Sequence, residues 1–278
     1  MTPTLFALVL FAALLHASWN LLVKISADRV VALTLLQALM GVMGLAMLVA
    51  FGIPVRAAWP YAVASGMLHT GYNLFLARSY KFGDLGLVYP VARGTAPMLT
   101  LLGTQLFTQD ALSPLALAGV VTLILGIWLI ALSGDVFKAQ RATFLFALTT
   151  SVFIGCYTVI DGLGGRAAGN ASAYTGFLYL FDALGMLSAA FYMRGRSLLG
   201  SMALSWKSGV VGAALSGCSY WIIIWAMSQA PIAAVAALRE TSILFALIFS
   251  ARVLKEAMSW RRLAGVILVV AGAMALRG

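Results

Sequence analysis

Residues 93–126 read RGTAPMLTLLGTQLFTQDALSPLALAGVVTLILG, and residues 239–272 read RETSILFALIFSARVLKEAMSWRRLAGVILVVAG. The two stretches stay in register, without a gap, at an offset of 146 residues: Thr95/Thr241, Leu101/Leu247, Asp110/Glu256, Ala111/Ala257, Ser113/Ser259, Leu117/Leu263, Ala118/Ala264, Gly119/Gly265, Val120/Val266 and Gly126/Gly272. Each copy opens on an arginine inside an apolar run. The chain is therefore a duplicated protein with charge buried in apolar surroundings.

The composition identifies those surroundings. Of 278 residues, 63% are hydrophobic and 9% charged, and the mean hydropathy is +1.01. Too few polar residues remain to cover a soluble globule of this size. A helix needs roughly 20 apolar residues to cross the hydrocarbon, and only helices or closed barrels satisfy their backbone groups there. The apolar runs are of helix length, which selects helices. Hydropathy breaks predict ten spans, near 3–22, 31–51, 59–79, 84–107, 114–133, 142–161, 171–192, 208–228, 232–252 and 261–276. The fold expected is an all-α membrane protein of ten transmembrane helices, with no soluble domain to house a separate activity.

The repeat divides the chain into residues 1–135 and 136–278, five spans each, at the loop around 133–141. Two five-span units in tandem must lie in opposite orientations, because five is odd. That is the inverted-repeat plan of secondary transporters, whose substrate sites lie near the midplane between the halves. Gly119-x6-Gly126 and Gly265-x6-Gly272 keep glycines on one helix face, so the fifth and tenth helices are expected to pack closely, within the bundle or between protomers.

The net charge of +10 would suggest nucleic acid in a soluble protein. Here it follows the loops. Lys24, Arg29, Arg78, Lys81, Lys138, Arg141, Arg194, Arg196, Lys207, Arg252, Lys255, Arg261 and Arg262 fall after odd-numbered spans, and only Arg56, Arg166 and Arg277 on the other side. The positive-inside rule then puts both termini outside the cytoplasm. Nucleic acid is not expected as a partner; a small-molecule substrate and membrane lipid are. The uncharged start also lacks the positive n-region of a signal peptide. Cys156 and Cys218 lie within spans and suggest neither a disulfide nor a metal site, and no cofactor is expected.

Charged and polar residues within spans mark the candidate site. Arg93 lies about 13 Å along the fourth span, close to the bilayer centre. An arginine there faces a partner or a water-filled cavity; it and Arg239 are candidate substrate ligands, the alternative being arginines locked to backbone carbonyls. Glu240 is the one acidic residue deep in a span of the matched stretches, with Gly94 as its counterpart. It is either a proton-coupling group or a counter-ion for an arginine. Neighbouring helical positions point about 100° apart, so Arg93 is expected to be its partner rather than Arg239. His16, Trp19 and Asn20 share one helix face, as do His69, Tyr72 and Asn73. These faces line a polar cavity, relay protons, or serve as interhelical hydrogen-bonding glue. Two lone histidines on different spans fix no metal site. Tyr89, Tyr157 and Tyr220 are candidates for stacking on a substrate, with cation–π capability. Pro90 and Pro97 flank Arg93 as a hinge or a fixed bend.

Gly83-Asp84, Val88-Tyr89-Pro90, Thr95-Ala96-Pro97, Gln109-Asp110-x-x-Ser113 and Gly119, with Ala230-Pro231, Arg239-Glu240-Thr241-Ser242, Lys255-Glu256-x-x-Ser259 and Gly265 in the second half, resemble the drug/metabolite transporter superfamily. The closest pattern is its ten-span EamA-like branch, over nearly the whole chain. This sequence departs from the family's frequent Gly-Glu loop at Gln109-Asp110 and Lys255-Glu256. The resemblance implies two five-helix repeats around a central cavity in a bacterial inner membrane. It also implies ATP-independent export or exchange of amino acids, other small metabolites, sugars or drugs. Some members are described with cytoplasmic termini, the opposite of what the loop charges predict here.

The function expected is a secondary active transporter, working by alternating access, for a small polar metabolite. The arginine pair favours an amino-acid-like or carboxylate-bearing solute, with the proton as candidate coupling ion. The alternative is a proton-coupled exporter of cationic or aromatic drugs. An intramembrane enzyme is not expected: the chain has no His-Glu-x-x-His motif, and no histidine follows Ser216 to complete a serine–histidine pair. The oligomeric state is left open.

Overall fold

The computed structural model describes residues 1–82, 85–132, 141–249 and 259–277, with side chains described outside 77–91 and 141–144. The described helices are α1 (Pro3–Ile25), α2 (Arg29–Phe51), α3 (Trp59–Phe82), α4 (Leu85–Phe107), α5 (Pro114–Ala131), α6 (Arg141–Ala167), α7 (Ala171–Arg194), α8 (Ser197–Leu204), α9 (Trp206–Gln229), α10 (Ile232–Arg239), α11 (Ser242–Phe249) and α12 (Trp260–Ala275), with a 3₁₀ turn at Arg56–Ala58. Seven described stretches are long and apolar enough to cross a membrane, one of them the α10–α11 segment. The chain is an all-helical integral membrane protein.

The helix ends follow from local chemistry. Ser113 and Ser259 occupy the same register position, and each caps the helix it precedes by accepting from a backbone N–H, Ser113 from Ala116 at 3.2 Å and Ser259 from Arg262 at 3.3 Å. α2 and α7 are bounded alike. Asp28 and Asn170 cap their starts, and Gly52 at φ +82° and Gly195 at φ +59° take the left-handed turn at their ends. Pro90 and Pro97 do not break α4, which is continuous from Leu85 to Phe107.

Two findings depart from the sequence reading. The short helix α8 lies between the seventh and eighth expected spans. The ninth span is not one helix: α10 stops at Arg239 and α11 starts at Ser242. Across the break, Glu240, Thr241, Ile243 and Leu244 donate to the carbonyls three residues back. Thr241 Oγ1 also takes the Leu238 carbonyl at 2.8 Å. This tighter 3₁₀ bonding places Glu240 at a turn within an apolar layer.

The packing is pairwise and reciprocal. α2 packs on α7, α5 on α12, α1 on α9, and α3 on α6. α5 and α12 are antiparallel and nearly in backbone contact. A Cβ at Gly119 would lie 2.9 Å from the Gly272 carbonyl, and one at Gly126 would lie 2.8 Å from that of Gly265. The close approach of these two helices thus requires glycine at each crossing. α1 and α9 are also antiparallel. Ser219 donates to the Ala12 carbonyl at 2.7 Å, and Leu22 and Val23 lie near Gly209 and Gly212. The end of α9 is therefore on the side of the amino terminus, whose nitrogen lies 3.5 Å from the Arg277 carbonyl.

Candidate functional site

Three buried charges meet where α4 crosses the break between α10 and α11. Arg93 Nη1 donates to Glu240 Oε1 at 3.1 Å, and Arg239 Nη2 donates to the same oxygen at 3.4 Å. All three residues are at most 4% exposed. Arg93 Nη2 also contacts His16 Nε2 on α1. The expectation that Arg93 partners Glu240 matches this geometry. The expectation that Arg239 cannot does not, because the 100° argument assumes a continuous helix and Glu240 is the cap residue of α10. The group carries two positive charges and one negative. Glu240 Oε2 and Arg239 Nε have no hydrogen-bond partner among the described residues.

The aromatic residues form a second layer beside this group. His69 stacks on Tyr157 at 3.9 Å between ring centroids, and Tyr220 meets both edge-on, at 5.4 and 6.2 Å. Tyr72 meets Tyr157 edge-on at 5.8 Å. Tyr157 lies within electrostatic reach of Arg93, Arg239, Glu240 and Asp161, so it bridges the charged group and what lies beyond. Trp19 packs edge-on against His16 at 5.1 Å. Asn20 donates to the His16 carbonyl of its own helix at 2.8 Å. Asn73 is 3% exposed, and its amide nitrogen has no partner among the described residues. The side chain of Tyr89 lies outside the described residues.

Beyond the aromatic layer lie two buried carboxyl groups that the sequence reading passed over. Asp161 on α6 accepts from the Tyr174 hydroxyl at 2.9 Å and from the Tyr220 hydroxyl, and the Ser65 hydroxyl reaches it. Asp182 on α7 is 2% exposed. Its Oδ1 lies 3.7 Å from His69 Nδ1 and accepts no hydrogen bond among the described residues. His69 Nδ1 is also 3.1 Å from both the hydroxyl and the carbonyl oxygen of Ser65. A usable signal was present: Asp182 is central in an expected span, and Asp161 is one helical turn after Tyr157. The rule that singled out Glu240 applies to both.

Ion pairs stand at both ends of the bundle. On the side of the termini, Arg166 grips Asp110 with two bonds of 2.7 and 3.0 Å and donates to the Met227 and Ala230 carbonyls at 2.9 Å each. Asp110 also accepts from the Ile232 N–H at 2.9 Å, joining the ends of α4, α6 and α9 to the start of α10. On the opposite side Arg194 pairs with Asp28. Burial raises the Asp28 carboxyl. Its bonds to Arg194 and the Val31 N–H outweigh this and hold it below the usual carboxylate range. Near this pair a cavity of about 380 Å³ opens between α1, α2, α8 and α9, and its lining includes none of the three central charges.

Comparison with known proteins gives a family match and a likeness of fold. The model of the EamA-like transporter family matches residues 141–277. A solved structure described as "Crystal structure of protein" superimposes with a TM-score of 0.76 at 19% identity, over 99% of this chain and 96% of its own, a likeness of fold alone. No curated protein matches.

Proposed function

The chain belongs to the EamA-like transporter family through its second half, residues 141–277, and on that premise we propose that it is a secondary transporter of a small carboxylate-bearing solute. The family makes it a membrane transporter of the drug/metabolite type. The solute class rests on one observation: two buried arginines share a single carboxylate oxygen. The group has an excess positive charge and, among the described residues, an unsatisfied guanidinium N–H on Arg239. A solute carboxylate supplies both the missing acceptor and the missing charge. In this reading Arg93 and Arg239 bind the solute, Glu240 is the resident counter-ion, and His16, Trp19, Asn20, His69, Tyr72, Asn73, Tyr157 and Tyr220 surround it. An amino-acid-like solute directs its ammonium group at the aromatic layer.

The transport cycle proposed is alternating access between two inverted five-helix repeats, residues 1–135 and 136–278, crossing ten times. The packing supports it. If α1 to α5 correspond to α6, α7, α9, α10–α11 and α12, the α1–α9 contact maps onto α6–α3, and α3–α7 maps onto α9–α2. Gly119 and Gly126 contact the repeat mates of one another, the reciprocity of a two-fold axis. The broken helix at the repeat interface fits the discontinuous helices that carry transporter sites. The loop charges support a bacterial inner membrane protein with both termini outside the cytoplasm, acting as an exporter or exchanger.

A thermal-shift screen against amino acids, organic acids, phosphonates and quaternary amines tests the solute class, because a ligand selective for the folded state raises its stability. Stabilisation by carboxylates that is lost in Arg93→Met supports the reading. The aromatic and acidic layer of Tyr157, Tyr220, Asp161 and Asp182 favours a second reading, export of cationic or aromatic drugs, and stabilisation by quaternary amines alone would select it.

A further inference from the structure

We infer that Asp182 of α7, together with His69 of α3, forms the proton-binding site of this protein, separate from the arginine group that receives the solute. The inference rests on the transporter reading for its use of the proton, but not for the existence of the site.

The argument starts from what each buried acid has around it. Glu240 has two guanidinium partners, so its negative charge is compensated twice. Asp161 accepts hydroxyls from Tyr174 and Tyr220, with Ser65 in reach, so hydrogen-bond donors share its charge. Asp182 has neither kind of support. Its Oδ1 is buried and, among the described residues, accepts no hydrogen bond; the His69 ring lies 3.7 Å away as a proton exchanger. A bare carboxylate buried in this way costs several kcal/mol. A proton on Asp182 removes that cost, and a proton on His69 offsets it as an ion pair. The pair thus holds one proton, on the Asp182 carboxyl or on the His69 ring, and its departure leaves Asp182 ionised beside a neutral ring.

The surroundings agree from each packed helix. α6 presents Asp161 and Tyr157, whose ring stacks on His69. α9 presents Tyr220 edge-on to His69. α7 adds Tyr174, which is bound to Asp161, and Tyr179, whose hydroxyl is taken by the Gly217 carbonyl at 2.6 Å. From α10, Arg239 acts on both His69 and Asp161. Arg239 therefore couples the two sites: neutralising it with a solute carboxylate changes the field at His69 and Asp161. Tyr157 stands between them in contact with both fields.

Infrared difference spectra between acid and alkaline buffer test the proton site without any solute, on the purified full chain in phosphatidylethanolamine vesicles. The expected result is a protonated-carboxyl carbonyl band that disappears in Asp182→Asn, shifts in Asp182→Glu and stays unmoved in Glu240→Asp, which keeps the counter-ion. Survival of the band in Asp182→Asn, or its shift in Glu240→Asp, overturns the assignment. Should Asp182→Asn not fold, His69→Gln is expected to move the pH midpoint of the band, and an unmoved midpoint overturns it equally. Coupling is read in vesicles loaded with a pH-sensitive dye and given a mixture of amino acids. Proton influx should accompany amino-acid entry in the wild type and fall to the level of empty vesicles in Asp182→Asn. Entry without proton influx refutes coupling. Absence of entry refutes the carboxylate-solute reading instead, while the infrared result still decides the site.

Discussion

Glu240→Gln is expected to destabilise the protein far more than Arg93→Met, and Arg93→Met is expected to rescue part of the damage when the two are combined. Methionine is chosen because it keeps most of the side-chain volume of the arginine. Arg93 and Arg239 approach one oxygen at 3.1 and 3.4 Å, so their nearest nitrogens are no more than about 6.5 Å apart, and each guanidinium centre is about 5 Å from the carboxylate centre. At an effective dielectric of about 20, each attraction is worth about 3 kcal/mol and the repulsion between the arginines about 2.5 kcal/mol. Arg93→Met gives up one attraction and one repulsion, a net electrostatic loss of about 1 kcal/mol by the same arithmetic. Glu240→Gln gives up both attractions and leaves the repulsion, about 6 kcal/mol before relaxation. In Arg93→Met/Glu240→Gln the repulsion is gone, so the double variant should exceed Glu240→Gln in stability by about 2 kcal/mol. Reversible unfolding in mixed detergent and denaturing surfactant measures all four proteins on one scale. A double variant no more stable than Glu240→Gln would refute the shared-counter-ion arrangement.

Three further outcomes follow from the packing and the two ends of the bundle. Gly126→Ala sets a Cβ 2.7 Å from the Val269 nitrogen, so α5 and α12 must separate, at about 1–3 kcal/mol. Gly200→Ala meets nothing within 4 Å and should be neutral or stabilising by up to about 1 kcal/mol; equal effects of the two in the same unfolding assay would contradict the close crossing. Arg166→Ala should raise thiol labelling of a cysteine introduced at Ile232 on the order of tenfold, the worth of one charged hydrogen bond, and unchanged labelling would show that the Arg166–Asp110 clamp does not close that end. Because the folded Asp28 carboxyl is held below its unfolded value, its contribution is present above about pH 4 and is lost as pH falls through the folded value. The pair is 33% and 40% exposed at its two side chains, so the contribution is under about 1 kcal/mol. Asp28→Asn, which keeps the helix cap, should lose less stability on acidification than the wild type, and an equal loss would remove the pair from the explanation.

Much of the architecture was readable because membrane helices are specified by long apolar runs and by their caps. The two serines in register, Ser113 and Ser259, cap equivalent helices, and the spaced glycines of α5 and α12 make the contacts that their spacing suggested. What failed was local geometry. Reading Arg239 and Glu240 as neighbours on one helix ruled out the pairing that the turn at Glu240–Thr241 creates, since no proline or glycine marks that break. His69 and Tyr157 were each legible as polar positions, but their stacking depends on how α3 meets α6, which no single-helix pattern contains. Asp161 and Asp182 were missed for a different reason: they lie in the less well matched part of the repeat, and attention to the matched stretch left Glu240 as the one deep acid.

Solute flux by the purified chain is the most direct measurement of the central claim. In lipid vesicles without any nucleotide, preloaded unlabelled amino acids should drive accumulation of the same amino acids in labelled form from outside, and Arg239→Met should abolish it. No accumulation of any carboxylate-bearing solute by the folded wild type, or flux confined to quaternary amines, would contradict the arginine pair as the solute site.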